Sequence, residues 1–165
     1  MSHLDHLIST LSQVKNEICN WDILTLAIAY HDIIYKTRKS DNEEKSAEYA
    51  DNILAGILSK EKRELLSQFI IATKAHSRHE NEDINYFTDA DLSILGASPN
   101  EYILYAKQIR REYKLYPLFI YKPGRAKVLT HFLNMNRIFK TDFFFRQYEK
   151  KAKINLQLEL DSLSQ

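Results

Sequence analysis

The spacing of apolar residues constrains this chain more than any other feature, because it follows a helical period almost everywhere. The N-terminal segment shows this period clearly, with apolar residues that would form one stripe on a helix: Leu4, Leu7, Ile8, Leu11, Val14 and Ile18. The chain has only three Gly and three Pro, the residues that most often interrupt helices. The sequence therefore predicts an all-α fold.

Capping signals predict where the next helices begin. Asn20 is a candidate N-cap for a second helix over 21–34. Asp41 and Glu44 have the spacing of a capping box and predict the start of a third helix. A fourth helix is expected over 60–75.

The second half of the chain contains the clearest start signal, formed by Ser98, Pro99 and Glu101. Pro117 and the "KPG" segment at 122–124 are expected to interrupt the helical pattern. The remaining helical segments are predicted over 89–95 with a stop at Gly96, over 98–113, over 125–135, and from 142 onward. The last of these should bury one face, which is formed by Phe145, Tyr148, Ala152, Leu156, Leu160 and Leu163.

Composition limits the class of protein. With 165 residues, of which 44% are hydrophobic and 27% charged, the chain suits one globular domain over 1–165. The formal net charge of +1 provides no overall field that favours a nucleic-acid polymer or a membrane, so neither is an expected partner. The single Cys19 and the lack of a leader or a span of about 20 apolar residues predict a cytoplasmic protein.

His31 and Asp32 lie side by side in a strongly apolar stretch, "LAIAYHDIIYK" at 26–36. An ionised carboxylate in such surroundings needs a partner. A divalent cation would satisfy both side chains, since imidazole and carboxylate suit Mn, Fe, Zn, Ni or Co. The alternative is an Asp that caps a neighbouring helix beside a His that is bonded to a backbone carbonyl.

Other residues could complete a metal site. His3 precedes the first apolar stripe by one residue and is in line with Leu7, so it could reach the interior. Asp89 and Asp91 lie beside an apolar turn in "FTDADLSILGA" at 87–97. This acidic pair could instead cap a short helix.

The order of these residues, a His, then His-Asp, then a distant Asp, resembles the HD superfamily of metal-dependent phosphohydrolases. Further segments look like one bacterial branch of that superfamily, and the likeness extends nearly from end to end. These segments are "YHD" at 30–32, "SDNEEKSAEYAD" at 40–51, "IIATKAH" at 70–76, "DADLSILGA" at 89–97, "IRREY" at 109–113, "GR" at 124–125 and "NLQLEL" at 155–160.

The resemblance implies an HD-type helical bundle in which His3, His31, Asp32 and Asp91 ligate a divalent cation, which is Mn, Fe, Co, Ni, Zn or Mg. It favours Asp91 over Asp89, because the second acid of the Asp-x-Asp pattern matches the superfamily ligand. The resemblance thus converts a set of separate residues into one expected metal site.

Relatives of this branch also carry Tyr-His-Asn directly ahead of the two residues that precede the first ligand His. Here Met1 and Ser2 directly precede His3, and two explanations are open: a start codon assigned too far downstream, or an N-terminally shortened protein. In the cyclic-nucleotide phosphodiesterases, the histidine of that triplet protonates the leaving oxygen. The shortened start therefore bears on the acid step of the expected reaction.

Three side chains are candidates for the reaction itself. A cation held by His and Asp lowers the pKa of a bound water and polarises a phosphoryl oxygen, and Asp32 could orient that water or accept its proton. His76 is a candidate acid or phosphate contact; otherwise it is a loop residue that faces solvent. Glu44 resembles an acidic position that reaches the site in some superfamily members, although a capping box with Asp41 explains it equally well.

Four cations are candidates for contacting an anionic substrate if they are not ordinary surface residues: Lys74, Arg110, Arg111 and Arg125. The sequence thus predicts a metal-dependent phosphohydrolase that acts on a small phosphorylated compound, with a nucleotide as the best candidate. The alternative is a helical metal- or nucleotide-binding module without turnover. The aromatic last helix, with "FFF" at 143–145, has enough apolar residues to form a homodimer.

Overall fold

The structure, a computed structural model, describes residues 3–37 and 39–163, which form helices and connecting turns without a strand. This confirms the predicted all-α fold. None of the described helices combines the length and the apolar character that crossing a membrane requires. The α-helices are α1 His3–Ser12, α2 Trp21–Tyr30, α3 Asn42–Leu54, α4 Lys60–Ala72, α5 Glu82–Leu92, α6 Pro99–Glu112, α7 Leu118–Asn134 and α8 Asp142–Leu163, with 3₁₀ segments at Lys15–Glu17 and Ser93–Gly96.

The described residues divide into two compact units, one that ends at Asp91 and one that begins at Leu92. Such a division does not establish that either unit folds alone, so the single domain over 1–165 stays a prediction. The HD-type arrangement also stays a prediction.

The first unit is built around α2 and α4, which pack on each other, with α3 against α4 and α1 against α2. Phe69 and Phe87 meet edge to face in its core, with ring centroids 5.7 Å apart. Burying each large apolar side chain contributes about 1.5–3 kcal/mol, so this core fixes the directions of the surrounding helices. Its other fully buried large side chains are Leu7, Leu11, Ile23, Leu24, Ile28, Leu66, Ile70 and Ile84.

The first two helices are shorter than the sequence predicts. α1 ends at Ser12 although the apolar stripe continues to Ile18, and α2 ends at Tyr30 instead of Ile34. Val14 and Ile18 remain buried in the turns after α1. Apolar spacing thus marks the residues that face the core, but it does not mark where a helix stops.

Asn20 and Asp41 occupy the predicted N-cap positions of α2 and α3, but neither side chain caps its helix. Asn20 precedes α2, but its Nδ2 atom donates to Asp83 at 2.9 Å and its side chain does not cap the helix. Asp41 precedes α3 without a side-chain cap, and Glu44 forms an ion pair with Lys74 instead of a capping box. For Glu44, the charged Lys74 takes the place of a backbone amide, because charge-assisted hydrogen bonds are the stronger ones.

In the second unit, α8 packs on α7 and on the 3₁₀ segment Ser93–Gly96. A Cβ atom at Gly96 would lie 2.6 Å from the Tyr148 carbonyl oxygen, so glycine is required for this close approach. The Asn155 Nδ2 atom donates to the carbonyl oxygens of Leu95 at 2.9 Å and Ala97 at 3.1 Å. These contacts fasten the segment that leads into α6.

The start of α6 is confirmed. Pro99 occupies the first helical position, and the Glu101 carboxylate accepts a hydrogen bond from the Ser98 backbone amide at 3.1 Å. The short helix predicted over 89–95 is instead the last turn of α5 together with the following 3₁₀ segment. Its residues continue a longer helix because the polar segment before it is already helical from Glu82.

The predicted interruption at 122–124 is wrong, since α7 is continuous and contains Pro123. Pro117 does precede the helix, as its N-cap. Pro123 removes one backbone donor and costs about 3 kcal/mol in a helix interior. Arg125 and Leu129 are buried in the same helix, and the packing of α7 on α8 offsets that cost.

The last helix begins at Asp142, as predicted, but its buried face is rotated from the predicted one. Phe144, Ala152 and Leu156 are fully buried, whereas Phe145 is 36% exposed. The Arg137 guanidinium lies 4.1 Å from the centre of the Phe145 ring. Phe144, the central residue of the aromatic run, packs inside the unit, and the homodimer stays a prediction.

Candidate metal centre

His31 is held at the C-terminal end of α2 in the first unit. Its backbone amide donates to the Ala27 carbonyl at 2.9 Å, and its Nδ1 atom lies 3.0 Å from the Ile28 carbonyl oxygen. The ring is buried, with Phe87 edge-on at 5.7 Å. Because Nδ1 must donate to the carbonyl, the Nε2 atom of the neutral ring carries the free lone pair.

Asp91, in the last turn of α5, faces this ring. Its Oδ1 atom lies 3.8 Å from His31 Nε2 and 3.2 Å from His3 Nε2, and its side chain is 16% exposed. Residues two apart on a helix point about 200° away from each other. Asp89 therefore cannot share this direction, and it is fully buried elsewhere on α5.

His3 lies at the start of α1 and completes the cluster. The Nε2 atoms of His3 and His31 are 3.3 Å apart, and one ligand atom from each of His3, His31 and Asp91 lies within 4.8 Å of the others. Two donor atoms about 2.1 Å from one ion lie roughly 3.0–3.4 Å apart at octahedral and tetrahedral angles. The separations of 3.3 Å between His3 and His31 and of 3.2 Å between His3 and Asp91 fit this range, whereas the 3.8 Å between His31 and Asp91 is longer. A shared cation would therefore draw His31 and Asp91 slightly closer together, and three protein ligands would leave further positions open.

Asp32, the fourth predicted ligand, lies at the edge of the cluster. Its Oδ2 atom is 3.4 Å from His31 Nε2, and its side chain is 55% exposed. The structure thus brings Asp32 to the same place as the three other residues but leaves it facing solvent. Its role as a ligand or as a base stays a prediction.

His76 contacts the opposite oxygen of Asp91, with 2.8 Å between its Nε2 atom and Asp91 Oδ2. It follows the end of α4 in a left-handed backbone conformation, with φ of 50°, which is uncommon for a residue other than glycine. The side chain is 16% exposed and is not the solvent-facing loop residue of the alternative interpretation. The contact orients Asp91, and the predicted role of His76 as an acid remains untested.

The electrostatics of the cluster favour an ionised Asp91. Burial alone would raise the pKa of this carboxyl, but hydrogen bonds from His3 and His76 outweigh it and hold the pKa well below the usual range. The hydrogen bond to Asp91 raises the pKa of His3 above its usual value. A cation would have to displace the proton of His3, leaving two neutral imidazoles and one carboxylate as a donor set that suits a divalent transition metal.

Glu44 and Lys74, predicted as a catalytic acid residue and a phosphate contact, form an ion pair with each other between α3 and the end of α4. Hydrogen bonding between them lowers the pKa of Glu44 and raises the pKa of Lys74. Both side chains are largely exposed. Their predicted roles in the reaction stay predictions.

The other predicted phosphate contacts belong to the second unit. Arg110 donates to the carbonyl oxygens of Tyr113 at 2.8 Å and Tyr116 at 3.2 Å. Arg125 forms two hydrogen bonds with Glu159, both 2.8 Å long. Arg111 is exposed. Structural contacts therefore occupy two of these three guanidinium groups, and their predicted role as phosphate contacts stays a prediction.

Sequence reasoning missed two residues that shape the surroundings of the cluster. Asp83 accepts hydrogen bonds from the backbone amides of Cys19 at 3.0 Å and Asn20 at 2.8 Å, which fixes the turn that begins α2. The Asn85 side chain accepts a hydrogen bond from the His79 backbone amide and donates one to the His79 carbonyl oxygen. These two bonds fix the loop after His76. The only signal in the sequence was their position in a polar segment. Their partners are backbone groups, which every residue carries and which no sequence motif marks.

Comparisons of the chain with protein-family models, with curated proteins and with solved structures each found no match.

Proposed function

We propose that this protein is a metal-dependent phosphohydrolase that acts on a small phosphorylated compound, with a nucleotide as the best candidate. One observation carries the proposal: His3, His31 and Asp91, which are far apart in sequence, direct two imidazole nitrogens and a carboxylate oxygen at one point. The order of the residues in the chain, which resembles that of the HD superfamily, supports the same proposal. The positions of the individual residues suggest which of them binds the metal and which transfers a proton.

His3, His31 and Asp91 would hold the ion. When bound, a divalent cation supplies a nucleophilic water at neutral pH and polarises a phosphoryl oxygen. The bond from His31 Nδ1 to the Ile28 carbonyl keeps Nε2 free to act as a ligand, and such outer contacts orient metal ligands in general. We assign His76 the corresponding task for Asp91, because its Nε2 atom is already engaged by that carboxylate.

Asp32 is assigned the proton transfer. Its carboxylate lies 3.4 Å from His31 Nε2 and is more than half exposed, so water can reach it. A carboxylate in that position can accept a proton from the attacking water as that water approaches phosphorus. Lys74 is the candidate cation of the first unit for binding a phosphate oxygen of the substrate. To do so it would leave its ion pair with Glu44.

The test combines metal analysis with activity. The purified chain is loaded separately with Mn, Co, Ni and Mg, its metal content is measured, and a panel of nucleotides and phosphomonoesters is assayed. Asp91→Ala and His31→Ala should lose both bound metal and activity, while Asp32→Ala should lose activity. His131→Ala, an exposed histidine outside the cluster, is the matched control and should behave like the wild type. Turnover that survives Asp91→Ala and Asp32→Ala would contradict the proposal.

A metal-binding module without turnover is the second candidate. One observation favours it: contacts within the protein already engage three of the four predicted phosphate cations, Lys74, Arg110 and Arg125. The same experiment separates the two candidates. A module of this kind binds metal in proportion to protein, loses the metal in Asp91→Ala, and hydrolyses no member of the panel.

A further inference from the structure

A surface of the second unit exposes a run of apolar side chains where α6 leads into α7. Leu115, Leu118, Phe119 and Ile120 are 68%, 57%, 77% and 49% exposed, and we call these four residues the corner patch. Single exposed apolar residues are ordinary, but a contiguous group of them marks an interaction surface. Because more than half of Leu115, Leu118 and Phe119 is exposed, these side chains project from the surface and do not line a groove.

The connection that carries the corner patch is held in place. Arg110 donates to the carbonyl oxygens of Tyr113 and Tyr116, and its guanidinium lies 4.7 Å from the centre of the Tyr121 ring. Tyr121 itself is buried in α7. The apolar side chains are therefore presented outward by an ordered turn.

The segment of the chain that carries the corner patch is rich in basic residues. Residues 99–135 contain seven basic and two acidic side chains, a net charge of +5 in a chain whose total is +1, and one of these positive charges, on Arg125, is neutralised by Glu159. Arg110 and Arg125 are engaged within the unit, whereas Lys107 and Arg111 on α6 and Lys114 in the turn after it are exposed. Lys122 lies one helical turn after Phe119, so it shares that face of α7.

We propose that the corner patch docks on the surface of an anionic lipid bilayer. Apolar side chains that project between basic ones can enter the interface while lysine and arginine remain among the headgroups. A second copy of the chain does not fit as well, because a symmetric contact would set two surfaces of the same positive charge against each other. A nucleic acid would satisfy the cations but leave the aliphatic side chains without a partner.

Neither component suffices alone. Salt weakens the attraction between exposed basic side chains and an anionic surface. Four apolar side chains form too small an area for a stable protein–protein interface. Their combination gives reversible binding that depends both on anionic lipid and on ionic strength. Docking of this kind requires no helix that crosses the membrane.

Co-sedimentation of the full chain with vesicles tests the proposal. One set of vesicles contains phosphatidylcholine alone and the other contains phosphatidylserine as well. We expect binding to the second set only, and weaker binding as salt is raised. Phe119→Ser should reduce the partition coefficient about ten-fold, and Lys114→Glu should reduce it by a similar factor.

The matched controls come from the first unit. Ile57→Ser replaces an apolar residue that is 74% exposed, and Lys60→Glu reverses a charge on a side chain that is 77% exposed; both should bind as the wild type does. Circular dichroism verifies that each variant is folded. No binding to either set of vesicles, equal binding to both sets, or unchanged binding by Phe119→Ser and Lys114→Glu would each overturn the proposal. So would binding to an acidic polypeptide without binding to vesicles, which would make a protein the partner.

Discussion

Single residues in this protein are oriented by partners that are remote in sequence. One carboxylate oxygen of Asp91 lies 2.8 Å from the His76 Nε2 atom, and the other lies 3.2 Å from the His3 Nε2 atom. Both carboxylate oxygens of Glu159 accept hydrogen bonds from Arg125, and one of them also accepts from the Tyr102 hydroxyl at 2.6 Å. A buried carboxylate is tolerated only when such partners satisfy it, and each arrangement makes a measurable prediction.

The first prediction concerns His76. Replacing it by Ala removes the contact that orients Asp91, and loss of such an outer contact lowers metal affinity about 10- to 100-fold. His76→Gln, which retains a hydrogen-bond donor, should recover part of the affinity. Calorimetric titration with Zn or Mn measures both effects, with His131→Ala as the control. Wild-type affinity in His76→Ala would show that Asp91 needs no orienting partner.

The second prediction concerns the pH dependence of stability. Burial would raise the pKa of Glu159, but the bonds from Arg125 and Tyr102 leave it below the usual value of 4.5. A carboxyl with a lowered folded-state pKa stabilises the protein above its unfolded-state pKa, and this contribution is lost as pH falls through the folded-state pKa. Glu159→Gln leaves Arg125 buried without a counter-charge and should cost about 3–5 kcal/mol at neutral pH.

Urea unfolding of the wild type and of Glu159→Gln at a series of pH values measures this difference. The difference in the free energy of unfolding should stay constant near neutrality and shrink below about pH 4.5, as the wild-type carboxyl gains a proton. A difference that is the same at all pH values would mean that the charge of Glu159 does not contribute.

At the scale of whole elements, side chains of α8 satisfy backbone groups at the end of α7 and in the connection that follows it. The Lys153 Nζ atom, on α8, donates to three carbonyl oxygens at the end of α7, those of Phe132, Leu133 and Met135. Glu149, also on α8, accepts bonds from the amides of Ile138 and Phe139. Lys153 thus satisfies carbonyl groups at the C-terminal end of the neighbouring helix. Element boundaries in this unit therefore depend on α8.

The third prediction compares two glycines in that unit. A Cβ atom at Gly124, inside α7, would have no atom within 4 Å, whereas at Gly96 it would clash with the backbone of Tyr148 on α8. Gly124→Ala should therefore stabilise the protein by about 0.5–1 kcal/mol, since alanine favours the helix. Gly96→Ala should destabilise it, because the clash involves a backbone that cannot move aside.

Thermal or urea unfolding of the two single variants provides the measurement, and each variant serves as the control for the other. Equal effects of the two substitutions would contradict the difference in packing described for them.

At the scale of the whole molecule, the small net charge conceals an uneven distribution. Residues 99–135 carry +5, so the rest of the chain carries −4 of the total of +1. The overall charge gave no reason to expect a membrane partner, whereas the local charge around the exposed corner patch favours one. An average over 165 residues is thus a poor guide when like charges cluster on one pair of helices.

The fourth prediction links metal to global stability. A ligand that binds only the folded chain stabilises it by about 2.7 kcal/mol at a concentration of 100 times its Kd. Adding Mn, Co or Ni should therefore raise the unfolding temperature of the wild type, and a chelator should reverse the rise. Asp91→Ala should show no such shift in scanning calorimetry. If none of these metals changes the unfolding temperature of the wild type, the result would contradict a metal centre.

Local rules explain how much of the site could be predicted. His31 was singled out because an imidazole and a carboxylate followed one another in an apolar stretch, and His3 because it lies in line with an apolar stripe. Asp91 could be separated from Asp89 only through the family resemblance. The contact between His76 and Asp91 could not be predicted at all, because it depends on a left-handed backbone at His76 that no local pattern indicates.

The sequence by itself determined the helical class, the start of α6 and the kinds of residue able to bind a metal, because these follow from neighbours within a few positions. The tertiary structure decided where α1 and α2 stop, why α7 continues through Pro123, and which acid meets the histidines. These outcomes depend on contacts such as that between His3 and His31, which are 28 positions apart. Packing energy summed over such distant contacts exceeds the few kcal/mol by which local preferences differ.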